Sequence, residues 1–155
     1  MNPEHGGESG LTLIETVVGL AILALTTGLV VTASLRMVDA LNLQSTATSL
    51  VYRLRYLQQL AQTKDVYTQA RMASYSPTYT TYEGTNRLNT YSFAPGVNYH
   101  DGYLQMPTGN FLYDSFGNAQ MAGVLRLTAA GKEEDINLYM GCGWQTMGGI
   151  ADESP

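Results

Sequence analysis

Apolar residues dominate the chain between Leu11 and Leu35, and the run ends at Arg36. Glu15 is the only ionisable side chain within the run, and no Lys or Arg precedes Arg36. An apolar run of about 20 residues is long enough to cross a bilayer as a helix. The pattern therefore predicts a transmembrane helix over residues 11–35. A carboxylate inside such a segment is costly unless it is paired, so Glu15 is a candidate functional residue.

The helical period continues beyond Arg36. Apolar side chains recur three or four positions apart, while polar side chains occupy the other faces. The recurring apolar positions are Ala47, Leu50, Val51, Leu54, Leu57 and Ala61. The pattern predicts one helix over residues 11–64, about 80 Å long at ~1.5 Å per residue. Its second half is expected to lay an apolar stripe on a β-sheet.

From Val66 onward the pattern changes to short alternating runs, rich in Tyr and Thr and separated by Gly and Pro. Such runs are typical of β-strands and turns. The predicted strands are 66–72, 78–83, 88–93, 110–114, 124–128 and 135–140. Regular structure is expected to end at Gly141–Gly143, with residues 150–155 loose. The predicted fold class is α+β, with one long N-terminal helix packed on a small, mostly antiparallel β-sheet.

Composition narrows the class of protein. Of 155 residues, about 90 remain for one small domain beyond the predicted leader and helix. The single Cys142 excludes an intrachain disulfide, and a buried, inert thiol is expected. Thirteen acidic residues against eight basic ones give a net charge of −5, which disfavours a large basic nucleic-acid surface. Charged residues make up only 14% of the chain, which fits a subunit packed among others.

Candidate catalytic residues are few. The chain has two histidines, His5 and His100, and no nucleophile, base and orienting group can be assembled around either. His100 beside Asp101 is expected to be a polar loop residue. The acidic run 133–135 is expected to be a solvated turn, because the ligand spacing of a calcium loop is absent. We therefore expect no enzyme activity, no metal site and no cofactor.

One short motif stands at the start of the apolar run. Residues 10–15 read Gly-Leu-Thr-Leu-Ile-Glu, after a short polar leader and directly before the membrane-length segment. The arrangement resembles the cleavage and methylation signature of type IV prepilins and pseudopilins. The resemblance implies that prepilin peptidase cuts between Gly10 and Leu11 and that Leu11 is then N-methylated. It also implies that Glu15 is the assembly carboxylate, which pairs with the terminal ammonium of a neighbouring subunit.

The resemblance implies a division of the chain and a location for it. Residues 1–10 would be the prepilin leader, 11–35 the transmembrane or filament-core helix, and 36–155 a globular pilin-like domain that includes the second half of the long helix. The chain would cross the plasma (inner) membrane once, with its C-terminal domain outside, before entering a cell-surface or periplasmic filament. The implied partners are prepilin peptidase, other pilins or pseudopilins, the inner-membrane assembly platform and, before assembly, membrane lipid.

Three features depart from the usual family pattern. Leu11 stands where phenylalanine is commoner, and the leader carries acidic residues but no basic one. Orientation therefore does not follow from the positive-inside rule. No proline lies near Thr32, so no helix break is encoded there. Gly19 and Gly28 are either close-approach points between packed helices or simply tolerated residues.

Two plainer interpretations of the N-terminal segment remain. An ordinary signal peptide has a candidate cleavage site at Val31-Thr32-Ala33. However, the leader lacks a basic residue, the apolar run exceeds the ~7–15 residues of a signal core, and Glu15 interrupts it. A plain signal anchor explains the length but not Glu15. The alternative function is therefore a permanently membrane-anchored extracellular binding domain that does not polymerise.

The C-terminal half shows a second, looser similarity. The segments 111–113, 116–118, 123–127 and 136–143 are similar to the H-type minor pseudopilin of type II secretion and to the corresponding minor pilin of Gram-positive competence pili. The last segment is a predicted strand that runs into Gly-x-Gly. This similarity implies a minor subunit of a machine for DNA uptake or for type II protein secretion.

Direct nucleic-acid binding is not expected. The basic side chains Arg53, Arg55, Arg71 and Arg87 form no single run, and no Lys or Arg follows Lys132. We predict that the domain of residues 36–155 shifts duplex DNA in a gel no more than a neutral control protein does at physiological salt. Phosphate binding depends strongly on salt, so a salt-sensitive shift at low micromolar protein would contradict this prediction.

Overall fold

The computed structural model describes residues 12–102, 109–143 and 145–152. One α-helix, α1, is assigned to Leu13–Lys64. The strands are β1 Thr68–Met72, β2 Thr78–Glu83, β3 Asn86–Ser92, β4 Asn98–Tyr99, β5 Asn110–Tyr113, β6 Gly123–Ala129, β7 Lys132–Leu138 and β8 Gln145–Asp152. The predicted α+β class is confirmed. The chain divides into two compact units, Met1–Arg36 and Met37–Pro155.

The strands of the second unit form two four-stranded sheets. The order is β3-β2-β1-β5 in one sheet, which we call sheet A, and β4-β6-β7-β8 in the other, sheet B. Every strand pair in both sheets is antiparallel. Most pairs join strands that are consecutive along the chain. The exceptions are β5, which pairs with β1, and β4, which pairs with β6. The prediction of a mostly antiparallel arrangement is therefore confirmed, although the strands make two sheets instead of one.

The core of the second unit is the predicted apolar stripe of α1. Its members are buried, together with Leu43 one turn earlier. They share one core cluster with inward-facing side chains of both sheets, such as Phe111 in sheet A and Leu125 in sheet B. Full burial of a large apolar side chain contributes roughly 1.5–3 kcal/mol. The stripe is thus a common packing surface for two sheets that share no strand.

In the first unit, α1 exposes its large apolar side chains. Leu13 and Ile14 are 85% and 70% exposed, and six further large apolar residues between positions 17 and 25 are at least half exposed. These residues are Val17, Val18, Leu20, Ile22, Leu23 and Leu25. Among the described residues, no helix combines the length and the apolar character that crossing a membrane requires.

The expected end of regular structure at Gly141–Gly143 is wrong. The chain turns there and then forms β8, which pairs with β7 along its length. The β7–β8 register shifts between Glu134 and Ile136, opposite the Gly148-Gly149 pair. Such a bulge breaks the two-residue alternation by which a strand is recognised in sequence. The expectation that residues 150–152 are loose is wrong, because they belong to β8, and residues 153–155 lie outside the described residues.

The expectation that residues 133–135 form a solvated turn is also wrong. They lie within β7, where Glu133 and Glu134 are buried. The Nε atom of Arg126, on β6, lies 2.6 Å from a Glu133 carboxylate oxygen and 2.9 Å from one of Asp135. Because side chains alternate along a strand, Arg126 compensates these two carboxylates on the outer face while Glu134 points the other way.

Glu134 is the least compensated of the three carboxyl groups. It is 1% exposed, and its Oε1 accepts a hydrogen bond of 3.1 Å from the backbone N–H of Gly149. Its Oε2 is buried and has no hydrogen-bond partner among the described residues. Gly149 has φ +87°, which suits glycine and places its N–H at the bulge. Burial raises the pKa of Glu134, and the nearby charge of Asp135 adds to the rise.

We predict that Glu134→Gln stabilises the protein by about 1 kcal/mol near neutral pH, because the amide oxygen keeps the Gly149 bond without a buried charge. A folded-state pKa above the ordinary 4.5 means that wild-type stability falls as pH rises from that value through the raised pKa. The gain from glutamine should therefore be largest above that range and vanish below it. Thermal unfolding of the detergent-solubilised chain across pH measures this.

Glu133→Gln is the matched control. It weakens the pair with Arg126 and should lower stability at neutral pH. A Glu134→Gln variant that is less stable than wild type at neutral pH would show that the carboxylate is favourably placed.

Candidate functional site

The predicted site residues lie around the start of α1. Gly10 and Leu11, the predicted cleavage and methylation residues, lie outside the described residues. Glu15 lies in the first turn of the helix. The structure therefore describes the environment of the predicted assembly carboxylate and not that of the predicted cut.

Glu15 is engaged by Thr12, the residue directly before the helix. Glu15 Oε2 accepts hydrogen bonds from the Thr12 backbone N–H and from Thr12 Oγ1, both at 3.0 Å. In return, the Glu15 N–H donates to Thr12 Oγ1 at 3.4 Å. The first N–H groups of a helix have no partner within it, and this reciprocal pattern, the capping box, satisfies two such donors.

The capping box gives Glu15 a role within a single chain. Its carboxylate lies at the end of α1 where the helix dipole favours negative charge. Its hydrogen-bonding capacity is thus partly satisfied before any neighbour arrives. The role of Thr12 was missed at the sequence level, although the spacing Thr-x-x-Glu before an apolar run is its recognised signal.

The surroundings of the capping box are apolar. Leu13, Ile14, Val17 and Val18 follow it directly, and each is at least half exposed. A carboxylate at the end of such a helix will be strongly desolvated by whatever covers these side chains. In an apolar environment this carboxylate would be costly without a paired cation.

The structure does not distinguish whether Gly19 and Gly28 are close-approach points between helices or simply tolerated residues. Among the described residues, a Cβ atom built at Gly19 or Gly28 would meet no atom within 4 Å apart from its chain neighbours and the adjoining backbone of its own helix. Both interpretations therefore stay open.

The other candidate residues show no second site of this kind. His100 lies outside the strands, with Nε2 3.1 Å from the Tyr75 hydroxyl and Nδ1 3.2 Å from an Asp101 oxygen. The expectation of a buried Cys142 is wrong, because its side chain is exposed. Positive φ angles at Gly141 and Gly143 turn the chain on either side of it. Within the described residues, no group of three or more potential metal ligands is found.

Comparisons of the chain with protein-family models, with curated proteins and with solved structures find no match.

Proposed function

We propose that this chain is a minor pilin or pseudopilin. Prepilin peptidase would cut it after Gly10, Leu11 would be N-methylated, and α1 would carry it from the membrane into a type IV filament-like structure. The pilin fold, with one long N-terminal helix that spans the membrane before assembly, is part of this proposal. The observation that carries it is the exposed apolar surface of α1 in the first unit, with Glu15 at its start.

The exposed apolar surface needs a cover. Eight large apolar side chains on one short helical segment are at least half exposed, and soluble proteins rarely leave such contiguous patches open. Lipid would cover them before assembly, and helices of neighbouring subunits would cover them afterwards. Both environments are apolar, so both demand a counter-charge for Glu15.

Cleavage after Gly10 would supply that counter-charge. A new ammonium group would appear at Leu11, at the same end of the helix as Glu15. Within one chain, Glu15 is already bonded to Thr12, so the ammonium of a neighbouring subunit is the natural additional partner. Pairing of one ammonium with one carboxylate per subunit would fix how far neighbouring helices are displaced along each other.

The second unit adds support from its part of α1. Met37, Val38, Leu41, Tyr52 and Tyr56 are all more than half exposed, on sides of the helix away from the core stripe. A helix that is apolar on both its core side and its outer side fits a subunit packed between others. A permanently anchored binding domain would have no need of the outer apolar residues.

The proposed machine serves DNA uptake or type II protein secretion. Its other components would be prepilin peptidase, sibling pilins or pseudopilins, and an inner-membrane assembly platform. The domain would face outside the plasma membrane and later form part of a surface or periplasmic filament. No catalytic role and no direct nucleic-acid binding are proposed.

We predict that protein extracted from cell membranes begins at Leu11 and carries one added methyl group. Intact-mass and N-terminal peptide mass spectrometry measure both features. A chain that keeps residues 1–10, or that begins at Ser34 after signal-peptide cleavage, would contradict the proposed function.

We predict that Glu15→Leu leaves membrane insertion and cleavage intact but prevents incorporation into filaments. Insertion should be unharmed because a carboxylate is lost from an apolar segment. Incorporation should fail because the ammonium of a neighbour loses its partner in a setting of low dielectric constant. The cleaved variant should accumulate in the membrane and be absent from sheared or cross-linked filament fractions.

Thr12→Ala is the matched control for Glu15→Leu. It breaks the capping box, at a cost of roughly 1 kcal/mol to the helix, but keeps the carboxylate. It should be cleaved and incorporated. If both variants fail to assemble, helix capping and not charge pairing is the function of Glu15; normal incorporation of Glu15→Leu would show that neither is needed.

A further inference from the structure

A groove runs between α1 and the start of β8 in the second unit. It consists of two cavities of about 340 and 220 Å³, and Arg55 and Gln145 line both. At one end, which we call the polar end, the lining includes the amide side chains of Gln58 and Gln59 together with Cys142 and Gly143. At the other end it is largely apolar, with Val51, Tyr52 and Met147. Among the described residues, Arg55 is the only charged one that lines either cavity.

The side chain of Arg55 is held in the groove by hydrogen bonds to buried residues beneath it. Its Nε donates a hydrogen bond of 3.3 Å to Gln145 Oε1, and Gln145 Nε2 donates to the Tyr113 hydroxyl. Gln145 is 4% exposed and Tyr113 is fully buried. Because Arg Nε can only donate, the amide oxygen must face Arg55 and the amide nitrogen must face Tyr113. Among the described residues, the terminal nitrogens of Arg55 have no ion-pair partner, and they remain available to a ligand.

The polar end of the groove is equally fixed. Gln58 Nε2 donates to the backbone oxygens of Cys142 and Gly117 at 2.8 and 2.9 Å. Gly143 has φ +65°, and a Cβ there would lie 2.8 Å from both Gln58 Nε2 and the Tyr113 ring. Only glycine fits this close approach. The backbone of Cys142 is thus bonded to the helix, so this side of the groove is held by contacts within the chain itself.

The edge of sheet B borders the groove. β8 is the last strand in the sheet order, and no described strand pairs with it beyond β7. An edge strand presents unpaired backbone N–H and C=O groups, and an extended segment of another chain can add to it. Met147 of β8 is 39% exposed and contributes its side chain to the apolar end.

We propose that this groove binds an extended segment of a neighbouring subunit, which pairs along the free edge of β8. The segment places a carboxylate on Arg55 and an apolar side chain against Met147 and Tyr52. Bidentate contact with a carboxylate is the interaction that an arginine held through Nε favours. The partner is a subunit because the proposed function surrounds this domain with subunits, and the inference rests on that proposal.

The dimensions favour a peptide segment over a small carboxylate. The groove follows α1 from Thr48 to Gln59, about 16 Å at ~1.5 Å per residue. That length matches about five residues of extended chain at ~3.3 Å each. A small carboxylate would fill the space at Arg55 but leave the apolar end and the β8 edge unused.

Cys142 provides a native reporter for the test. It is the only cysteine of the chain, it is exposed, and it lines the groove. The rate at which N-ethylmaleimide labels Cys142 is measured by mass spectrometry, on the full chain in native membranes with filaments present. We expect slow labelling in wild type and labelling about tenfold faster in Arg55→Glu and in Met147→Lys. A tenfold change corresponds to about 1.4 kcal/mol in the free energy with which the segment binds the groove. Arg55→Lys should lie between these limits.

Two controls make the result specific. Arg71→Gln removes an exposed arginine that packs on the Tyr82 ring in sheet A, away from the groove, and should label as slowly as wild type. Glu15→Leu, which should not enter filaments, should label fast with Arg55 intact. Unchanged thermal unfolding of Arg55→Glu and Met147→Lys would show that faster labelling reflects an open groove and not a damaged fold.

The outcomes separate this inference from the proposed function. If Leu11 is the methylated N-terminus and the chain enters filaments, but Cys142 labels as fast as in Glu15→Leu, the inference is overturned and the proposed function stands. If acetate alone slows labelling of the unassembled chain, a small carboxylate is the ligand and the subunit segment is refuted. If the chain is never cleaved or incorporated, both proposals fail together.

Discussion

The packing of one helical stripe on two sheets holds the second unit together. The chain contains no disulfide, since Cys142 is its only cysteine, and sheets A and B share no strand. Leu50, Leu54 and Leu57 of α1 are buried in the same core as inward-facing residues of both sheets. Each large side chain buried this way contributes a few kcal/mol. Because both sheets depend on the same stripe, a cavity opened in it would weaken both.

In the described part of the first unit the same helix buries no apolar stripe. There its large apolar side chains are exposed and its one carboxylate sits in a capping box with Thr12. The capping box resolves the local problem of the unpartnered N–H groups, but it brings no counter-charge. The proposed assembly role adds two requirements, an apolar cover for the helix and a cation for Glu15. These two requirements are the physical basis of the proposed assembly role, in which neighbouring subunits supply both.

Buried polar groups specify the geometry of sheet B and of the groove beside it. Arg126 compensates the outer carboxylates of β7, and Glu134 on the inner face binds the backbone of the bulge. Tyr113 and Gln145 fix the guanidinium of Arg55 through hydrogen bonds that leave no choice of amide orientation. Burial raises the pKa of Tyr113, so its hydroxyl stays neutral in this chain of contacts. Such networks add modest stability but strongly favour a single arrangement of side chains.

The sequence by itself determined the fold class, the buried stripe of α1 and strand β2 with its observed bounds, because these depend on local periodicity and propensity. It also contained the Thr-x-x-Glu signal of the capping box, although the contact of Thr12 with Glu15 was not predicted from it. Only the tertiary structure showed that residues 133–135 and 145–152 form β-strands. The burial of Glu134 requires the Gly149 N–H from a strand whose own alternation is broken by a bulge. The groove at Arg55 likewise joins residues separated by 90 positions, and contacts between such distant residues leave no local pattern in the sequence.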